Sequence, residues 1–289
     1  MQDGLILCRF VHFGAVLLLF GVELFRSVLF ASYLSSFEAG MARRLDRAMA
    51  GLAILGLMSA MAWLMLTAAS MADDWHDAVS LQTIGSVIGH TFFGHVWIAH
   101  LFLGLLAVLF CLPGPRSRPR LGLLVNTLLL LTLAPVGHGA MYDGTQGLLL
   151  ILNQMLHLIG VGTWLGGLLM LAVLLGSAGT FDVRAVLLRF SGIGYGLVAL
   201  IVATGMINVR ALSGAVWPEP AFSGFGQVLA VKVGMVLCML ALAAVNRSLA
   251  RATDLRLSAL RVSVLFECLF GSAALAAVSL LGTLPPMLA

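Results

Sequence analysis

Seven histidines are the residues of this chain best equipped for chemistry. His12, His100 and His157 lie inside long apolar runs, while His76, His90, His95 and His138 lie in or beside the stretches that join such runs. Imidazole is a borderline ligand suited to copper, zinc, iron and nickel. Softer atoms stand nearby. Cys8 precedes His12 by four residues and so shares its helical face, Met155 precedes His157, and Met141 follows His138. Met58, Met61 and Met65 make a stripe at i, i+3, i+7. Thioether and thiolate beside imidazole favour Cu(I) over hard cations. A plainer reading stands next to this one: methionine also fills apolar cores, and a lone intramembrane histidine also serves to bond a neighbouring helix.

A second set of residues carries charge inside apolar runs. Glu23 and Arg26 lie three apart on one helical face, and Glu267 is at a similar depth in the last run. A bare charge there is costly, so these three are expected to compensate one another, either as a structural ion cluster or as a step on an ion path. Lys232, the only lysine, either snorkels outward or sets a cation near the histidine level.

The elements that must position these groups follow from composition. Hydrophobic residues make up 61% of the 289 and charged residues only 10%. An ordinary soluble domain has about 25% charged residues, so the solvent of this chain is largely lipid. Eight apolar runs are candidate spans: roughly 5–34, 48–70, 94–112, 121–136, 147–175, 190–212, 226–247 and 261–283. The fourth is the shortest. The expected fold is an all-α polytopic integral membrane bundle, one transmembrane domain over 1–289 with no internal repeat. The first run is too long for a signal peptide and carries Glu23 and Arg26. Four scattered cysteines make no disulfide framework.

Orientation comes from charge. Arg43, Arg44, Arg47, Arg116, Arg118, Arg120, Arg184, Arg189, Arg247, Arg251, Arg256 and Arg261 fall on alternating loops, twelve of the sixteen basic residues. The intervening loops carry Asp73, Asp74, Asp77, Asp143 and Glu219. The positive-inside rule puts both termini outside, which in a bacterium is the periplasmic face of the inner membrane. The net charge of +4 is thus accounted for by topology, with no nucleic-acid partner. All seven histidines then fall toward the outer side, with His12, His100 and His157 within one or two helical turns of a common depth. His12 and His157 are expected to share one copper ion, with Cys8, Met155 or His100 as third ligand. Imidazole must be deprotonated to ligate, so affinity should fall as pH drops through roughly 6.5. No phosphate loop and no Cys-Pro-Cys is present. The chain is not expected to be an enzyme, and transport would run downhill, use another gradient or depend on a partner.

Several fragments together resemble the copper resistance protein D family of bacterial inner-membrane proteins. They are Ser59-xxx-Trp63; Thr91-Phe-Phe-Gly94-His-Val-Trp97; His157 with Trp164-Leu-Gly166-Gly167; Phe190-Ser191 with Gly205 and Asn208; Phe225-Gly226-x-x-Leu229-x-x-Lys232; Asn246-Arg247; and Glu267 before Pro285-Pro286. The resemblance covers most of the chain. It implies copper handling, commonly beside a periplasmic copper-binding protein of the CopC type, and movement of copper inward. His95 and His100 stand where relatives are expected to carry basic residues, which gives His100 a charge-balancing alternative to ligation. Two other functions stay open: a b-type cytochrome with haem held by two intramembrane histidines, and a non-transporting copper sensor or assembly scaffold.

Overall fold

The computed structural model describes residues 1–31, 39–111, 119–137, 142–176, 182–218, 224–254 and 256–283. His138, Met141, Arg116, Arg118, Glu219 and the Pro285-Pro286 pair lie outside the described residues. Among the described residues the chain forms nine α-helices and no strand. They are α1 (Gln2–Leu24, continued by a π-helical turn Phe25–Leu29), α2 (Ala39–Ala72), α3 (Leu81–His90), α4 (Phe92–Cys111), α5 (Pro119–Leu131), α6 (Gly144–Gly176), α7 (Val183–Ser213), α8 (Phe225–Arg251) and α9 (Leu257–Leu281). Seven of them are long and apolar enough to cross a membrane. Backbone polar groups in lipid must be satisfied internally, and helices achieve this within one segment. The chain is an all-α polytopic membrane bundle.

The eighth span of the sequence reading is the 13-residue α5, about 20 Å of helix at 1.5 Å per residue. It is short, yet a crossing by it would return the chain to the starting side. The Arg9 guanidinium near the start of α1 donates to the Gly282 carbonyl at the end of α9, Nη1 to O 3.1 Å. Both ends of the bundle therefore lie on the same side, which needs an even number of crossings. Seven long helices alone would leave them on opposite sides.

Helix α1 runs through the middle of the bundle: Val16, Leu17, Leu19, Phe20 and Val22 are at most 3% exposed. Its approach to α6 is set by glycine. A Cβ on Gly21 would lie 1.9 Å from the Gly162 carbonyl oxygen, and one on Gly166 would lie 2.3 Å from the Gly21 carbonyl carbon. Without a hydrophobic drive between helices in lipid, such small-residue seams supply close van der Waals contact.

The region read as an outer loop is more structured than expected. It holds a 3₁₀ turn (Trp75–Ala78) and α3, whose Ser80 hydroxyl accepts from the Thr83 N–H at the N-cap. The methionine stripe faces away from the core: Met58 is 57% and Met61 46% exposed, so neither joins a buried ligand set.

Candidate metal centre

His12 is wholly buried on α1, facing α2 and α4. Its Nδ1 lies 3.2 Å from the Gly56 carbonyl oxygen and 3.0 Å from Ser59 Oγ. A carbonyl only accepts, and the Ser59 hydroxyl already donates to Leu55 O at 2.7 Å. The proton is therefore on Nδ1, which leaves the lone pair on Nε2. That Nε2 is buried and has no hydrogen-bond partner.

His100, 1% exposed on α4, faces it with ring centroids 4.9 Å apart. The same logic fixes its tautomer. Its Nδ1 is 2.7 Å from Thr132 Oγ1, and Thr132 donates its own proton to Leu129 O at 2.7 Å. The hydroxyl can only accept from Nδ1–H, so Nε2 again carries the lone pair. Trp97, completely buried, stacks on His100 at 4.6 Å and is itself anchored by Nε1 donating to Ala60 O at 3.0 Å. Trp63 meets His12 edge-on at 5.5 Å. A metal-ligating histidine characteristically gives its other ring N–H to a carbonyl or similar acceptor, and both rings do this.

His157 stands elsewhere. On α6 its Nδ1 bonds Thr204 Oγ1 of α7 at 2.8 Å, and Thr204 donates to Leu200 O, so this third histidine has the same tautomer. It lines a cavity of about 260 Å³ that also includes Arg9, Phe13, Gln154, Asn208 and Lys232. His12 is not in that wall. Arg9, Phe13 and Leu17 repeat at i, i+4, i+8 on the cavity face of α1, whereas Cys8 and His12 repeat on the face turned to α2. The sequence reading joined His12 with His157 through the one-sided placement of the histidines, their common depth and the soft atoms beside them. The structure brings together His12 and His100.

The sulfur atoms do not complete a set. The Cys8 thiol donates to Ser59 O at 3.3 Å, and Met155 packs against the hydrophobic core. Among the described residues no three His, Cys, Asp or Glu side chains converge as a metal cluster. The remaining histidines among the described residues have local partners: His76 with Asp74 at 3.0 Å, His90 with Ser86 O, and His95 with Gly89 O. Asp74 lies below the usual carboxylate range because it accepts from the His76 backbone N–H, and then from the His76 side chain.

The expected mutual compensation of Glu23, Arg26 and Glu267 is corrected. Arg26 pairs with Asp46 of α2 at 2.8 Å, and Ser27 Oγ donates to Glu23 at 2.9 Å. Glu267, 2% exposed, accepts from Asn246 Nδ2 at 2.6 Å. Helices α8 and α9 are sequence neighbours, so a partner from α8 reaches Glu267 more directly than one from α1. Lys232 lines the His157 cavity.

Three hydroxyls orient the rings; sequence reasoning quoted Ser59 in a motif without giving it a role, and missed Thr132 and Thr204. Each bonds the carbonyl of its own preceding turn, a habit of Ser and Thr in helices that marks no particular function until a histidine lies opposite.

Two family models divide the chain. One described as copper resistance protein D-like, N-terminal domain, matches residues 1–148, and one described as copper resistance protein D matches residues 184–281. The chain is 30% identical over 287 residues to inner membrane protein YebZ of Escherichia coli (strain K12), covering 96% of this chain and 97% of that protein. It is 28% identical over 259 residues to copper resistance protein D of Pseudomonas syringae pv. tomato, covering 86% and 82%. No solved structure matches. With residues 1–148 and 184–281 matched by these models, and 96% of the chain covered by the 30% identical relative, the chain belongs to the copper resistance protein D family of membrane proteins.

Proposed function

We propose that this protein binds Cu(I) between His12 and His100, at the periplasmic end of an inner-membrane bundle, and moves it inward. One observation carries the reading: His12 Nε2 is buried without a partner, beside a second imidazole whose Nε2 lone pair is also free of its proton. A buried unpaired polar atom costs free energy that an arriving ion would recover. Two neutral imidazoles suit the low coordination of Cu(I), and burial among Trp63 and Trp97 excludes water from it. Copper is the cargo here, so a moderate site from which the ion can leave serves better than a closed cluster. The names of the relatives support copper and the inner membrane, and the alternating arginines support the orientation with both termini outside. A separate periplasmic protein of the CopC type is the proposed donor.

A haem held by two histidines fits poorly. The two buried rings lie 4.9 Å apart with Trp97 stacked alongside, and the cavity at His157 has one histidine among its described lining residues. Purified protein should show no Soret band. A scaffold without transport is excluded if copper enters liposomes containing the protein.

The test is competition with a chromogenic Cu(I) chelator, using wild type, His12→Ala, His100→Ala and the double variant. Either single change should remove most of the binding, and the double should add little. Full binding by the double variant would overturn the assignment. Binding should also weaken as pH falls, because protons compete for the same Nε2 lone pairs.

A further inference from the structure

The His157 cavity has a charge pattern that the copper reading does not use. Arg9 and Lys232 both line it, and among its described lining residues there is no Asp or Glu. Neither cation has an ion-pair partner among the described residues. Arg9 is held by the neutral Gly282 carbonyl and lies over the Trp63 ring at 5.0 Å, with its Nε buried and unbonded. The position is built for it: a Cβ on Gly282 would lie 1.9 Å from Arg9 Nη2. Two cations facing one membrane-embedded cavity without a counter-charge are costly unless an anion joins them.

The polar groups are confined to one end. Arg9 lies near the start of α1, Tyr142 just before α6 bonds the Ala211 carbonyl near the end of α7, and Lys232 is in the second turn of α8. Asn208 donates to Gln154 at 2.7 Å and accepts from Asn153 at 2.8 Å, forming an amide ladder at the same end. Deeper in, the wall is apolar: Leu17, Val161, Leu165, Val198 and Met239. From Arg9 to Leu17 the cavity descends roughly 12 Å along α1. Trp164, also in this wall, keeps its indole N–H buried without a partner.

We propose that this cavity binds an acyl chain bearing an anionic head group, with the head between Arg9 and Lys232 and the chain along the apolar wall. A free fatty acid and an anionic phospholipid share this chemistry. The site lies on a face of α1 adjoining the one that carries His12, with Trp63 between Arg9 and His12, and does not depend on the copper assignment.

The test uses delipidated protein in non-ionic detergent, titrated with a brominated long-chain fatty acid while tryptophan fluorescence is followed. Quenching should saturate and should be largely lost in Trp164→Phe. The brominated alcohol of the same chain should bind about tenfold more weakly, the scale of one charge-assisted contact. Lys232→Met should weaken the acid by a similar factor, while Lys232→Arg should keep it. Competition by phosphatidylglycerol but not phosphatidylcholine would assign the occupant to membrane lipid, and its absence would assign it to free fatty acid. Equal quenching by acid and alcohol would overturn the proposal. So would unchanged acid binding in a Lys232→Met protein with a wild-type melting temperature. If Lys232→Met fails to fold, the comparison of acid with alcohol still decides.

Discussion

Thr132 Oγ1 lies 2.7 Å from His100 Nδ1 while its own proton goes to the Leu129 carbonyl, so a single hydroxyl in the turn just after α5 dictates which nitrogen of His100 keeps its lone pair. This is an indirect but specific control of the proposed metal ligand. Thr132→Val preserves shape and removes the acceptor. Loss of such an outer partner typically costs about 10–100-fold in metal affinity. Thr132→Val should therefore weaken Cu(I) binding by that order in a chelator competition, while Thr132→Ser retains it. Equal affinity in the valine variant would mean that His100 is not a ligand.

Glu267 is held by Asn246, not by Arg26, and this changes the size of the expected effect. A hydrogen bond to a charged group contributes about 1.5–3 kcal/mol, less than a broken buried ion pair. Glu267→Ala should destabilise the protein by an amount of that order, seen as a lower melting temperature in detergent, and Arg26→Ala should not add to it cooperatively. A double-mutant cycle measures this directly; strong coupling between Arg26 and Glu267 would contradict the geometry.

The seam between α1 and α6 has no room for a methyl group. Gly166→Ala would set a Cβ within 2.6 Å of three backbone atoms, the Gly21 Cα, the Gly21 carbonyl carbon and the Val22 nitrogen. Overpacking of this kind costs about 1–3 kcal/mol or more. The variant should melt earlier and yield less folded protein, whereas Gly192→Ala, whose added Cβ meets nothing within 4 Å, should behave as wild type.

The short helix α5 is predicted to cross. Alkaline phosphatase joined after Arg120 should be inactive, and joined after Asp143 or at the C-terminus it should be active. Equal activity at Arg120 and Asp143 would show that α5 does not traverse the membrane.

The bundle was legible in the sequence because lipid demands long uninterrupted apolar runs, and each run became a helix, although α2 begins nine residues and α7 seven residues before the expected limits. The site was legible only in part. Depth along a span follows from counting, which is why His12, His100 and His157 were read as residues of one outer layer. Which rings meet depends on helix rotation and neighbour order, which apolar periodicity states weakly when a helix is buried on most sides. Cys8 was placed on the right face, but its thiol turned to a carbonyl. Arg26 found Asp46 because α2 lies beside α1, an adjacency that one sequence does not reveal.

X-ray absorption at the copper edge tests the central claim most directly. Protein loaded with one equivalent of Cu(I) should show a first shell of two nitrogen scatterers at about 1.9–2.1 Å with the outer-shell pattern of imidazole, on the scale of other metal–imidazole bonds. His12→Ala and His100→Ala should each abolish that two-nitrogen shell, and His157→Ala should leave it intact. A shell dominated by sulfur, or one that survives loss of both His12 and His100, would contradict the account.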